Sequence, residues 1–353
     1  MVNGSLSSSY KILNRSVPQG SIIGPLLFLL FINDMPFCSN LFSILYADDT
    51  TCLSKGKDIN AVGSLVNSEL QKVSTWLKAN QLAINVKKTK IMIFSTNKKV
   101  PEFPFYFNAN DLNATEDPHL ITKIDRISNS SDTRSFKMLG VHFDENLSFD
   151  IHIDKVLKKI NSALFMINRA KHVLSLKSMR RLYFAMIHPH LLYGLTVYSA
   201  TSLSNLSRLF KKQKQCLRII SGAKYNAHTE PLFHSNNILP FHDLITSQKL
   251  LFMHSIAHNY ASTSFNEFPR NLEIYGHDYP LRNSLDFYIT RNSLLKVSKM
   301  PLISFPQSWN SIDDAIKAIT RRTNFKNEIH SSFMDNYANF HCSKTICVSC
   351  ISL

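Results

Sequence analysis

Phe42-Ser43-Ile44-Leu45-Tyr46-Ala47-Asp48-Asp49-Thr50-Thr51-Cys52-Leu53 is the stretch from which the rest of the chain is read. Two short runs rich in β-branched and aromatic residues flank a polar tetrad, which predicts a β-hairpin with both aspartates in its turn. Adjacent carboxylates are crowded like charges, a costly arrangement unless cations sit there. Hard divalent ions take carboxylate oxygens, and a pair of such ions suits in-line phosphoryl chemistry. The plain alternative is a solvated polar turn, because Asp is common in turns.

Outward from the hairpin, Val17-Pro18-Gln19-Gly20-Ser21 is loop chemistry, and Pro25 opens an apolar run expected to be a buried helix. Val2-Asn3-Gly4 resembles a strand entering a turn. Downstream, Ile59, Val62, Val66, Leu70, Val73 and Leu77 recur at helical spacing, so 58–79 is an amphipathic helix. Leu82 to Val86 and Ile91 to Phe94 are expected as strands around a Lys-rich turn. Residues 97–135 should be loop with one or two short strands, and Met138 to Phe143 one more strand. From Ile151 the spacing turns helical. One stripe is Val156, Ile160, Leu164 and Ile167, a second Met179, Leu182, Tyr183 and Met186, a third Leu206, Leu209, Phe210, Leu217 and Ile220. Beyond 236 only a helix over Ser308 to Arg322 is expected.

The length, 353 residues, suggests about two domains, and 44% hydrophobic residues allow a sizeable core. The net charge is +15. Within 151–235, fourteen Lys and Arg stand against Asp154 and Glu230, so this segment holds +12 of that excess. Lys155, Lys158 and Lys159, and Lys211, Lys212 and Lys214, flank the predicted helices, and a one-signed helical face of this kind suits phosphate backbones. Six cysteines are too sparse for a disulfide framework, which fits a reducing, intracellular compartment. No signal peptide or spanning segment is expected, and no membrane partner. His341, Cys342, Cys347 and Cys350 match no standard zinc spacing and are taken as scattered tail residues.

With these elements in order, a resemblance becomes specific. Ser16 to Phe28 with Ile32-Asn33-Asp34-Met35, then Tyr46-Ala47-Asp48-Asp49, resemble consecutive motifs of reverse transcriptases of jockey-like non-LTR retrotransposons. So do Trp76-Leu77 with Asn80, Leu82, Asn85, Lys88, Thr89 and Phe94, and Phe136 to Val141, similar to the primer-grip hairpin. His152-Ile153 with Lys159, then Leu182-Tyr183, Ile187, Pro189 and Tyr193-Gly194, resemble the thumb. The resemblance implies an α+β fold: a partial palm (an antiparallel sheet with helices) over 1–150, a basic helical thumb-like region over 151–235, and a C-terminal region of unknown role over 236–353. It implies an RNA-directed DNA polymerase acting on an RNA template, a DNA primer and deoxynucleoside triphosphates. Asp48 and Asp49 would be metal-binding catalytic carboxylates for Mg2+ or Mn2+. Pro18, Gln19, Gly20 and Tyr46 would lie near template and nucleotide, and Lys88 would protonate the leaving pyrophosphate. The six lysines above would meet the nucleic-acid backbone. Priming at a genomic target would need the nucleus.

The resemblance also implies a third carboxylate before Val17, yet Asp34 is the first acidic residue. If that ligand is worth about 4 kcal/mol at the transition state, the rate falls about a thousandfold. The expectation is therefore that this chain, N-terminally truncated, polymerises poorly alone. The alternative function is a catalytically inactive nucleic-acid-binding remnant.

Overall fold

In a computed structural model, the described residues are 20–95, 100–108, 121–128, 134–261, 268–275, 285–290 and 298–338. Internal contacts divide the chain into two units, Met1–Arg134 and Ser135–Leu353. The expected domain limit at 150 falls inside the second. Helices dominate, and the described strands form four separate pairs rather than one antiparallel sheet.

In the first unit, α1 (Gly24–Ile32) begins with a proline in its first turn, where a missing N–H costs nothing. It was expected to be buried. Instead Leu26, Leu27, Leu29, Leu30 and Phe31 are exposed, Leu30 to 67%. The helix is apolar on every side, so packing Phe28 and Ile32 against the core leaves its other faces outside. β1 (Phe42–Tyr46) and β2 (Asp49–Leu53) form the expected hairpin. Its turn is Ala47-Asp48, and Asp49 is already paired with Tyr46, so only one aspartate lies in the turn proper. α2 (Ile59–Ala79) is the expected amphipathic helix, capped by the Asp58 carboxylate accepting from the Ala61 N–H at 2.9 Å.

The next expectation fails in part. Leu82 to Val86 form no strand, and the second run pairs only over β3 (Lys90–Met92). Asn85 draws the chain into a turn: its side chain accepts from the Lys88 N–H at 3.1 Å and its carbonyl from the Thr89 N–H at 3.0 Å. Such local bonds compete with a strand ladder. β4 (Tyr106–Asn108) pairs antiparallel with β5 (Ile121–Lys123), and β6 (Asp125–Ile127) pairs parallel with β3. That makes three short strands between 97 and 135. Phe105, Phe107, Ile124, Val73, Ile32 and Met35 form the buried core of this unit.

The second unit opens with a hairpin, where the residue pattern alone suggested a single strand over Met138 to Phe143 and the resemblance implied a hairpin. β7 (Phe136–Met138) and β8 (Val141–Phe143) are joined by Leu139 and Gly140, with φ +45° and +88°. Two left-handed residues in succession make the tight turn whose twist suits a two-residue hairpin. α3 (Asp150–Ala170), α4 (Leu176–Met186), α5 (His188–Leu192), α6 (Leu195–Tyr198) and α7 (Leu203–Ile220) follow. The first and third expected stripes lie on α3 and α7 and the second on α4, and they converge in one core with Tyr183, Leu191 and Tyr198. α3 and α7 run in the same direction. Asp150 accepts from Asn205 Nδ2 at 2.6 Å, and one turn on Asp154 meets Arg208 at 2.5 Å. The core continues through α8 (Glu230–Ser235) to the start of α9 (Phe241–Ala257).

A second cluster, rich in aromatics, joins the later part of α9 to α11 (Pro301–Asn310) and α13 (Arg322–Ala338). α10 (Asn271–Tyr275) and α12 (Asp314–Lys317) are single turns. The helix expected over Ser308 to Arg322 is not formed as such. Ser311 to Asp313 break it, and Asp313 caps α12 through the Ala315 N–H. The Val2-Asn3-Gly4 reading and the terminal His–Cys cluster lie outside the described residues.

Candidate active site and nucleic-acid interface

The hairpin tip is built by sequence rules. Residues at Tyr46 and Asp49 pair, so the intervening Ala47 takes φ +51°, uncommon for a residue with a side chain. Midway along the strands, Ser43 Oγ lies 3.5 Å from Cys52 Sγ. Leu45 turns toward the core while Tyr46, Asp48 and Asp49 face outward. Among the described residues, neither aspartate has an ion pair or side-chain hydrogen bond, and no group of three metal-capable side chains assembles. Two free carboxylates at one tip still suit a hard divalent ion, which takes one or two carboxylates and fills its shell with water and phosphate oxygens.

Elsewhere in this unit, Asp34 just past α1 accepts from Trp76 Nε1 at 3.2 Å, which ties α1 to α2. Buried Glu69 accepts from the Asn40 N–H and from Lys72 Nζ, each at 2.7 Å. The Lys72 bond, helped by Asn40, holds its carboxyl below the usual range. Lys88 is exposed in the Asn85 turn and makes no ion pair with Asp48 or Asp49 among the described residues. Gly20 has φ +86° with open space where a Cβ would stand. Pro18 and Gln19 lie outside the described residues.

In the second unit the structure joins two stretches that the sequence quoted separately. Tyr193 donates its hydroxyl to the Leu139 carbonyl, and its ring covers Gly140. A Cβ on Gly194 would meet Val141 Cγ2 at 2.7 Å. Both glycines thus let the β7–β8 turn close on the α5–α6 junction.

The six lysines differ in freedom. Lys155 Nζ donates to the His142 ring at 3.0 Å, Lys212 reaches Gln215 at 3.3 Å, and Lys214 lies 4.7 Å above the Phe210 ring centre. Lys158, Lys159 and Lys211 are exposed, with no such partner among the described residues. Beneath Lys155, His152 is buried beside Tyr198. Burial above all, with His142, Lys159 and Lys155 adding repulsion, holds its pKa down at about 4.

Sequence reading missed Asp144. Its buried carboxylate accepts four bonds, from the N–H groups of Asn146, Ser148 and Phe149 and the Ser148 hydroxyl, at 2.8 to 3.1 Å. They hold Leu147 and Phe149 at positive φ just before α3. An acidic residue followed by Asn146 and Ser148 was the available signal for such a loop.

Residues 1–143 match the family described as reverse transcriptase (RNA-dependent DNA polymerase). The chain's relatives come from mobile elements. The RNA-directed DNA polymerase from mobile element jockey of Drosophila melanogaster is 28% identical over 236 residues, covering 64% of this chain and 24% of the relative. The jockey polymerase of Drosophila funebris is 27% identical over 238 residues, with the same shares. The probable RNA-directed DNA polymerase from transposon BS of Drosophila melanogaster is 24% identical over 242 residues, 65% of this chain and 24% of the relative. The chain thus spans about a quarter of the length of these relatives. No solved structure gives a significant match. Among the described residues, no helix is long and apolar enough to cross a membrane.

Proposed function

We propose that the chain contributes the catalytic hairpin and duplex-holding helices of an RNA-directed DNA polymerase of a mobile element. The observation that carries this is the pair of unpartnered carboxylates, Asp48 and Asp49, at the tip of a tight hairpin inside the matched segment. In this reading Asp48 and Asp49 hold divalent ions, Mg2+ or Mn2+. When bound, such ions activate a primer hydroxyl and steady the departing pyrophosphate. Pro18, Gln19, Gly20 and Tyr46 border the template and nucleotide, and Lys88 supplies a proton to pyrophosphate. Residues 1–150 act as palm and 151–235 as thumb, with Lys155, Lys158, Lys159, Lys211, Lys212 and Lys214 facing phosphates. The RNA template, DNA primer and deoxynucleoside triphosphates are the partners.

A second reading, a chain that binds nucleic acid without chemistry, is favoured by one observation. β1–β2 pairs with no other described strand, and a lone hairpin is a weak frame for two ions. Primer extension on an RNA template, scored with binding in the same tubes, separates the two. Extension lost in Asp48→Asn supports the polymerase, and extension indifferent to both Asp48→Asn and Asp49→Asn overturns it. Binding without extension leaves the second reading.

A further inference from the structure

At the ends of α3 and α7 the second unit opens a groove of about 710 Å3, in the range of ligand sites. Its walls carry Asn161, Phe165, Asn168, Lys171, Arg218 and Tyr225, and none of its lining residues is acidic. Phe165 is 63% exposed and Tyr225 89% exposed, a large outlay of ring surface for positions that no core needs. Phe165 lies off the buried stripe of α3, with the Arg169 guanidinium 5.2 Å from its ring centre. The side chains of Asn161, Asn168 and Lys171 have no hydrogen-bond partner among the described residues.

Exposed rings interleaved with cations and amides, without carboxylates, are what single-stranded nucleic acid requires: a ring for each base face and a positive rim for the backbone. A duplex keeps its bases stacked inside and offers these rings nothing. The helix ends sharpen the choice. α3 and α7 run in the same direction, so both bring their partial negative charge to the groove, and its floor suits a neutral base better than a phosphate. Phosphates belong on the rim, where Lys171 lines the groove and Arg169 lies over the Phe165 ring.

We propose that this groove takes an unpaired base of a single strand, stacked on Phe165 or Tyr225, as a site separate from the lysine faces of the same helices. The inference rests on the nucleic-acid reading above. The test measures binding of the full chain to a fluorescent single-stranded RNA 12-mer and to a blunt RNA–DNA duplex. The Phe165→Ala/Tyr225→Ala double variant should lose roughly ten- to a hundredfold in single-strand affinity. It should hold the duplex unchanged and keep its thermal midpoint, since both rings are exposed. Restoring rings with Phe165→Tyr/Tyr225→Phe should restore single-strand binding. Unchanged single-strand binding in the double variant, or equal loss on both probes, overturns the groove proposal while duplex binding leaves the polymerase reading intact. A wild-type chain that binds neither probe overturns both.

Discussion

At the scale of single residues, the acidic side chains play opposite parts. Asp48 and Asp49 are exposed and unpaired among the described residues, whereas Asp144 is buried and satisfied by four donors. Replacing Asp48 should therefore leave stability within about 0.5 kcal/mol, as for an ordinary surface site. Any polymerase activity should fall about a thousandfold or more, equivalent to roughly 4 kcal/mol. Asp144→Ala should do the reverse: it strands buried N–H groups and releases two left-handed residues, at a cost of about 2–4 kcal/mol read by urea denaturation. His152 makes acid the enemy of the second unit. Its imidazole is held at about 4 against an ordinary 6.5, so the unfolded chain binds the extra proton between those values. The contribution of this residue should be flat above pH 7 and fall as the pH drops through 6.5, by about 2 kcal/mol at pH 5. Burial first, with nearby cations in most cases, also lowers His142, His188, His190, His254 and His330, with the same sign. His152→Phe should flatten the slope. An unfolding midpoint in urea that drops equally in wild type and variant between pH 7 and 5 would sink this account.

At the scale of elements, the sequence was legible wherever one period dominated. α2, α3 and α7 follow stripes of apolar residues, and α2 emerges close to its expected limits of 58–79. The hairpin at Asp48 was legible from its flanking β-type runs. Failures occurred where local chemistry overrode pattern. Asn85 bends Leu82 to Val86 away from pairing, Leu139-Gly140 splits one apparent strand into two, and Asp313 interrupts a helical pattern with a cap. The left-handed pair at 139–140 invites a direct check. Gly140→Ala meets both an unfavourable φ and the Tyr193 ring, 2.9 Å from the new Cβ. It should cost about 1–3 kcal/mol, and Tyr193→Ala in the same background should recover part of the loss. Additive losses would mean that the ring contact has no role. α1 is the instructive case: composition alone marks it as apolar but cannot say which side meets a neighbour, and only Phe28 and Ile32 do so.

At the scale of the whole molecule, charge was the most legible property and its use the least. The excess of +12 in 151–235 could be counted, but not which cations are already engaged. Lys155 and Lys214 lean on the His142 and Phe210 rings, and Lys158, Lys159 and Lys211 stand free among the described residues. The free three should dominate duplex binding. Their joint change to Gln should lower the slope of log affinity against log salt by about 2–3, and Lys155→Gln/Lys214→Gln should lower it less. Equal slopes for all variants would place the duplex elsewhere. The candidate site divides in the same way. The carboxylate pair could be read from the sequence, while the groove at Phe165 and Tyr225 could not, because these two rings are sixty residues apart and neither has a motif.

The shared direction of α3 and α7 has a consequence in time. Neighbouring helices joined by short loops run antiparallel and can zip together as they form. Here the Asp150–Asn205 and Asp154–Arg208 contacts span 55 and 54 residues, and the chain must return through α4, α5 and α6 before they close. Closing so long a loop is entropically expensive, and folding slows as contacts become less local. The helical unit should therefore assemble its core late, after α4 to α6 have turned the chain back. During synthesis the side of α3 that meets α7 stays uncovered until residue 220 has emerged, while α4 and α5 are available earlier to cover the rest.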